Sequence, residues 1–250
     1  MSTWLQQCLS NHKKCQDRGK VNQKLPTRVI DVQLEGGDPF LVETNQRPGS
    51  WVALSYCWGF SPTAVTTSQN LQQHYNRIPM SNFPQTMKDA IVITRRMGYR
   101  YLWIDSLCII QDSPKDWAVE SLKMADVYGG ASLTIAAEAS VDTASGIFDS
   151  SNAFHKRHSE KYNFSIEGYH PSTSREYGRV YLRDIVDSNP FERAGCLRRR
   201  AWALQEDLMS RRLISFGEEQ LYWRCVTQQS EEASPTQALN PQYWYFTGNN

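Results

Sequence analysis

One segment, YLWIDSLCIIQDSPKDWAVESLKMADVYGGASLTIAA at 101–137, constrains the fold of this chain more than any other. It opens on YLWI, a short apolar run rich in aromatic and branched residues, as suits a strand covered on both faces. Ser113 is a good N-cap, Pro114 fits the first helical position, and Asp116 completes an S-x-x-D box. Trp117, Ser121, Met124 and Tyr128 then recur at helical spacing, and LTIAA (133–137) reads as a second buried strand. Strand, helix, strand implies a parallel pair with a right-handed crossover. Ligands of such sheets bind beyond the carboxyl ends of the strands. Asp105, Asp112, Asp116 and Glu120 fall in or near that zone, so the expected site is a crevice at the sheet's rim.

The alternation extends upstream. WVALSY (51–56) is a buried strand, and Pro84 to Met97 is an amphipathic helix with Met87, Ile91, Thr94 and Met97 inward and Gly98 as its stop. From 51 to 137 the order β, α, β, α, β predicts an α/β domain with a mostly parallel central sheet flanked by helices. TRVIDVQL (27–34) and PFLVET (39–44) flank Gly36-Gly37-Asp38 and predict an N-terminal β-hairpin. Residues 3–15 read as a helix, 68–77 as a polar helix and 161–183 as a β excursion. The last third reads as a C-terminal α+β elaboration: a helix around 201–209, then strands in RLISFG and EEQLYWRC. No linker divides the chain, so 1–250 is read as one domain, with an N-terminal helix in 1–24, core motifs in 25–225 and a tail at 226–250.

Lys plus Arg number 27 and Asp plus Glu 26, which lacks the basic excess of a nucleic-acid binder. No apolar run approaches the roughly 20 residues of a membrane span. The N-terminus lacks the apolar stretch of a signal peptide, so the expected location is cytoplasmic and the six cysteines are expected as free thiols.

Glu120 is the sharpest candidate for chemistry. It lies on the second turn of the predicted helix, in D-W-x-x-E (116–120). A carboxylate facing a crevice can bind ribose hydroxyls and stabilise an oxocarbenium-like transition state. Spacing alone favours a solvated charge paired with Lys123 or Lys115. Asp105 ends the strand; orienting a ligand and capping the next backbone amides are equally good roles. Ser55 and Tyr56 close the other core strand and Trp58 begins its loop. Ser55 suits a phosphate or ribose and Trp58 a base, although packing is the commoner use of a tryptophan.

LRRRAWALQEDLMSRR (197–212) gathers Arg198, Arg199, Arg200, Arg211 and Arg212, a set suited to phosphates, with Glu206 and Asp207 as internal partners and Trp202 and Leu204 as core. Cys8, His12 and Cys15 follow C-x3-H-x2-C on one helical face. Trp4, Leu5 and Leu9 make that stripe apolar and no clear fourth ligand follows, so no metal is assigned. Phosphate loops, dinucleotide glycines and the G-x-S-x-G elbow are missing, and Cys57 and Cys108 sit among bulky apolar residues that oppose thiolate formation.

LPTRVIDV (25–32), WVALSYCWG (51–59), YLWIDSLCIIQD (101–112), DWAVESLKMADVYGGASLTIAA (116–137), SGIF (145–148) and RRAWALQEDLMSRRLISFGEEQLYWRC (199–225) follow one another in a recognisable order. In these motifs the chain closely resembles the heterokaryon-incompatibility (HET) domain of fungal proteins. That resemblance implies a role in self/non-self recognition, where the domain triggers programmed cell death. The HET domain is itself distantly similar to Toll/interleukin-1 receptor (TIR) domains, which implies a TIR/flavodoxin-like core. VALSY resembles the first TIR strand, and DWAVE the TIR segment whose glutamate cleaves NAD. On that likeness Glu120 is catalytic with Asp105 in support. Ser55, Tyr56 and Asp112 then position a nucleotide, Trp58 or Trp117 stacks on its base, and Arg200 reaches its phosphates. NAD is then a substrate, and no cofactor is implied. The other expectation is a non-enzymatic module that self-associates or binds a protein partner, without nucleic acid or membrane.

Overall fold

The computed structural model describes residues 1–17, 23–59, 64–148, 197, 201–217 and 220–232, plus the backbone of two strands at 165–169 and 176–181. Its centre is an eight-stranded sheet. β1 (Arg28–Asp31) and β2 (Phe40–Glu43) form the expected N-terminal hairpin, its turn carried by Gly36 and Gly37 at φ +98° and +108°, where glycine meets no steric cost. β3 (Trp51–Ser55), β4 (Tyr101–Trp103) and β5 (Leu133–Ala136) follow. β6 (Ser165–Tyr169) and β7 (Glu176–Tyr181) pair separately as an antiparallel ribbon, so the β excursion is present. β8 (Arg212–Phe216), β9 (Leu221–Cys225) and β10 (Gln229–Glu231) complete the sheet, in the order β10-β9-β8-β5-β3-β4-β1-β2.

The sheet is mixed rather than mostly parallel. β4, β3, β5 and β8 form a parallel quartet through three pairings, while the four outer pairings are antiparallel. Connection length accounts for three of these: short connections join β1 to β2, β8 to β9 and β9 to β10 and reverse the chain, while β1 meets β4 antiparallel across a long stretch of sequence. Every residue of β3 and β5 is buried, as continuous apolar strands in the sheet's interior must be.

Helices cover the sheet. α1 (Ser2–Asn11) and α2 (Lys13–Asp17) replace the single predicted helix, broken at His12, whose ψ of 94° is extended. α3 (Leu71–Asn76) is the polar helix. α4 (Gln85–Arg96) buries Met87, Ile91 and Thr94 as the spacing predicts and is followed by Gly98 at φ +78°. α5 (Asp105–Cys108), α6 (Pro114–Ser121) and α7 (Met124–Gly130) carry the crossover from β4 to β5, and α8 (Ala201–Met209) leads into β8. The Ser113 side chain accepts the Asp116 N–H, which is the predicted cap. The helical stripe read through Trp117 and Tyr128 is split, however. The chain breaks at Leu122–Lys123, so Met124 and Tyr128 are buried while Trp117 is 49% exposed. Leu204 is likewise 60% exposed, because α8 turns Ala203 and Glu206 inward instead.

A buried ion pair ties the hairpin to the crossover. Arg28, 5% exposed, donates to the Cys108 carbonyl and to Asp116, which also accepts the Ile110 N–H. Asp116→Ala strands a buried guanidinium and is expected to lower unfolding free energy by about 3–5 kcal/mol in denaturant titration. Asp38, which accepts the Met80 N–H and pairs with Arg77, is held below the usual 3.8 by those two contacts. Its stabilisation is whole above the unfolded-state value and lost as pH falls through the lower folded value. Acid unfolding below about pH 4 should therefore be shallower in Asp38→Asn.

Candidate functional site

The structure sorts the candidate residues into two places. The first lies at the carboxyl ends of β3 and β4, where the sequence placed the crevice. Trp58 Nε1 donates to Asp105 Oδ2 at 2.9 Å, and Asp105 Oδ1 accepts the Ser106 N–H at 2.7 Å. Asp105 is thus both a cap and an anchor for the indole. Tyr56 donates its hydroxyl to Ser106 Oγ at 2.9 Å. Ser55 donates to Glu206 Oε2 at 2.5 Å, a bond across 151 residues that joins β3 to α8. The sequence pairs Glu206 with nearby arginines, and no local spacing signals its contact with Ser55. Glu138, just past β5, is buried at the same end. Cys108 is buried there too, and burial pushes its thiol up to about 12, as its apolar neighbours suggested.

The second place is built around Glu120. This residue is 4% exposed, on the last turn of α6. Its Oε1 accepts from Thr27 Oγ1 and from Lys123 Nζ, each at 2.8 Å, and Lys123 also donates to Thr27 Oγ1 at 2.9 Å. The expected pairing with Lys123 exists, but its carboxylate end is buried while the Lys123 side chain stays partly exposed. Among the described residues, Glu120 Oε2 accepts no hydrogen bond.

Glu120 lines a groove of about 520 Å³, with Lys24, Thr27, Trp51, Lys123, Asp126 and Arg211 among its walls. Trp51 opens β3, Gly130 ends the helix before β5, and Arg211 precedes β8. The groove therefore runs to the amino ends of the parallel strands. Ser55, Tyr56, Trp58 and Asp105 do not line it. Its floor depends on Gly130: a Cβ there would lie 2.6 Å from the Trp51 ring, whose Nε1 is held by the Val127 carbonyl at 3.1 Å.

Two further candidates are engaged elsewhere. Asp112 accepts from the Ser68 N–H and hydroxyl, and those bonds hold its carboxyl below the usual carboxylate value. Trp117 stands half-exposed on α6. Arg200 lies outside the described residues, as do Arg198 and Arg199. Of the same cluster, Arg212 is buried against Cys8 and Cys15, while Arg211 lines the groove.

The model of the family described as heterokaryon incompatibility protein (HET) matches residues 51–206. The chain belongs to the HET family. That region holds β3, β4, β5, the crossover with Glu120, and Glu206 at its border, while Lys24, Thr27 and Arg211 of the groove come from segments on either side of it. No curated protein and no solved structure matches the chain. No described helix is long and apolar enough to cross a membrane.

The Thr27 hydroxyl, from the segment that precedes the matched region, reaches into the groove and donates to Glu120. Thr27→Val is isosteric and removes one donor from a buried carboxylate. It is expected to cost about 1–3 kcal/mol in chemical denaturation, with the fold retained by circular dichroism.

Proposed function

We propose that this HET-family chain is an effector of fungal self/non-self recognition that triggers programmed cell death by breaking the nicotinamide–ribose bond of NAD or a related nucleotide. The reading is carried by one observation: a nearly buried carboxylate, Glu120, lines a groove of about 520 Å³ with Oε2 uncommitted among the described residues. That volume is in the range of small-molecule sites. The likeness of DWAVE to the NAD-cleaving segment of TIR domains supports the same assignment.

In this proposal Oε2 accepts a ribose hydroxyl and its charge stabilises the cation developing at C1′. Lys24, Lys123 and Arg211 supply positive charge for the diphosphate. The C1′–N bond breaks with its electron pair passing to nicotinamide. Water adds to C1′ and releases a proton, so ADP-ribose, nicotinamide and H⁺ are formed. Asp105, Ser55, Tyr56 and Trp58 hold the opposite end of the sheet and support the site through the fold.

Nicotinamide release from NAD, followed by chromatography at high protein concentration, tests the reading. Glu120→Gln should reduce the rate by at least about 100-fold while remaining folded. Asp105→Asn should retain most of it. Equal background in wild type and Glu120→Gln would remove the enzymatic reading.

A self-associating signalling module is the second reading, favoured by the exposed apolar side chains of Trp117, Val119 and Leu122 on and after α6, the last 85% exposed. If folded Glu120→Gln still kills cells while Leu122→Arg abolishes both killing and sedimentation as an oligomer, assembly carries the function.

A further inference from the structure

We propose that Cys8, His12, Cys15 and Cys225 bind a structural zinc ion that staples the N-terminal helices to the β9–β10 turn. The sequence offered three of these residues and no fourth. Folding supplies it: Cys225, at the end of β9, brings its Sγ to 3.3 Å from His12 Nδ1, across 213 residues. One ligand atom from each of the four residues lies within 4.8 Å of all the others. A tetrahedral site with Zn–S of about 2.3 Å and Zn–N of about 2.0 Å needs sulfurs about 3.8 Å apart and sulfur–nitrogen pairs about 3.5 Å apart. The cluster is thus within a small contraction of that geometry. Three cysteines and one histidine form a closed, soft donor set, which selects zinc and leaves no open position for catalysis.

The surroundings fit thiolate ligands. Arg212 Nε donates to Cys8 Sγ at 3.3 Å and its Nη2 to the Cys15 carbonyl at 2.9 Å. The Gln228 N–H donates to Cys225 Sγ at 3.3 Å, and Thr227 Oγ1 lies 3.4 Å from Cys15 Sγ. Such outer contacts orient ligands and raise metal affinity. Three thiolates on Zn²⁺ leave a net charge of −1, which the buried Arg212 offsets. The break between α1 and α2 also acquires a reason, because it falls at His12. A cavity of about 390 Å³ beside His12, Lys13 and Thr227 gives the ion a path in. The packing of Trp4, Leu5 and Cys8 explains why α1 is buried, but not why four donors converge at its end. All four ligands lie outside the region 51–206 that the family model matches, so the staple clasps segments on either side of it.

The experiment is elemental analysis of the full chain purified under reducing conditions without chelator, with cobalt substitution as a second readout. We expect about one zinc per chain and, with Co²⁺, the intense visible and thiolate charge-transfer bands of a tetrahedral site. Cys225→Ser should lose both, and a chelator should lower the melting temperature of the wild type. If Cys225→Ser does not fold, the half-buried His12→Asn should release zinc faster to a chromogenic chelator with its circular dichroism unchanged. Three results would each overturn the proposal. They are little zinc and no cobalt spectrum after reconstitution, metal retention unaltered in both variants, or a disulfide among Cys8, Cys15 and Cys225 in freshly purified protein.

Discussion

The buried guanidinium of Arg28 is the interaction on which the functional half of this molecule depends. A charge at 5% exposure is costly unless its donors are matched. Here Nε takes the Cys108 carbonyl and Nη2 the Asp116 carboxylate, and Asp116 also holds the Ile110 N–H. One residue of β1 therefore pins both the loop after β4 and the first turn of α6. Its neighbour Thr27 is delivered to Glu120 as a consequence. The groove exists because the antiparallel hairpin and the parallel crossover are locked at this point.

That lock separates two polar centres that a linear reading places together. Asp105 and Glu120 are 15 positions apart, yet one opens α5 just past the end of β4 and the other rides the crossover back along the sheet. The strand-end group knits β3, α5 and α8 through Ser55–Glu206, Tyr56–Ser106 and Trp58–Asp105. Its polar groups satisfy each other, which suits a structural keystone. The Glu120 group borders open space and mixes acidic with basic side chains, which suits a polar ligand. The same burial that orients Glu120 also pairs it with Lys123, so a nucleotide has to compete with that ammonium or share it.

The ends of the chain matter as much as the HET region. Residues 1–17 precede it by more than 30 positions and β9 follows it, yet Trp4 stacks on Trp223 at 6.4 Å between ring centroids and His12 meets Cys225. The antiparallel outer strands complete the sheet on which these contacts form. A domain trimmed to the family-matched residues would lose β8 and β1 and leave β5 and β4 as bare edges of a three-stranded sheet.

Local chemistry made much of this legible in the sequence. Periodicity and continuous apolar runs decided α4, β3, β4 and β5, the S-P-x-D start decided α6, and paired glycines decided the β1–β2 turn, because each depends on residues within a few positions. The order of family motifs likewise needed no coordinates. Only the tertiary structure decided what depends on distant partners: the antiparallel flanks of the sheet, the Glu206 bond to Ser55, the side of the sheet on which Glu120 meets open space, and the arrival of Cys225 at Cys8, His12 and Cys15. The physical reason is the same in each case. A side chain's burial and partners are set by which strands lie side by side, and contacts spanning 93 to 213 positions leave no periodic trace in the chain that makes them.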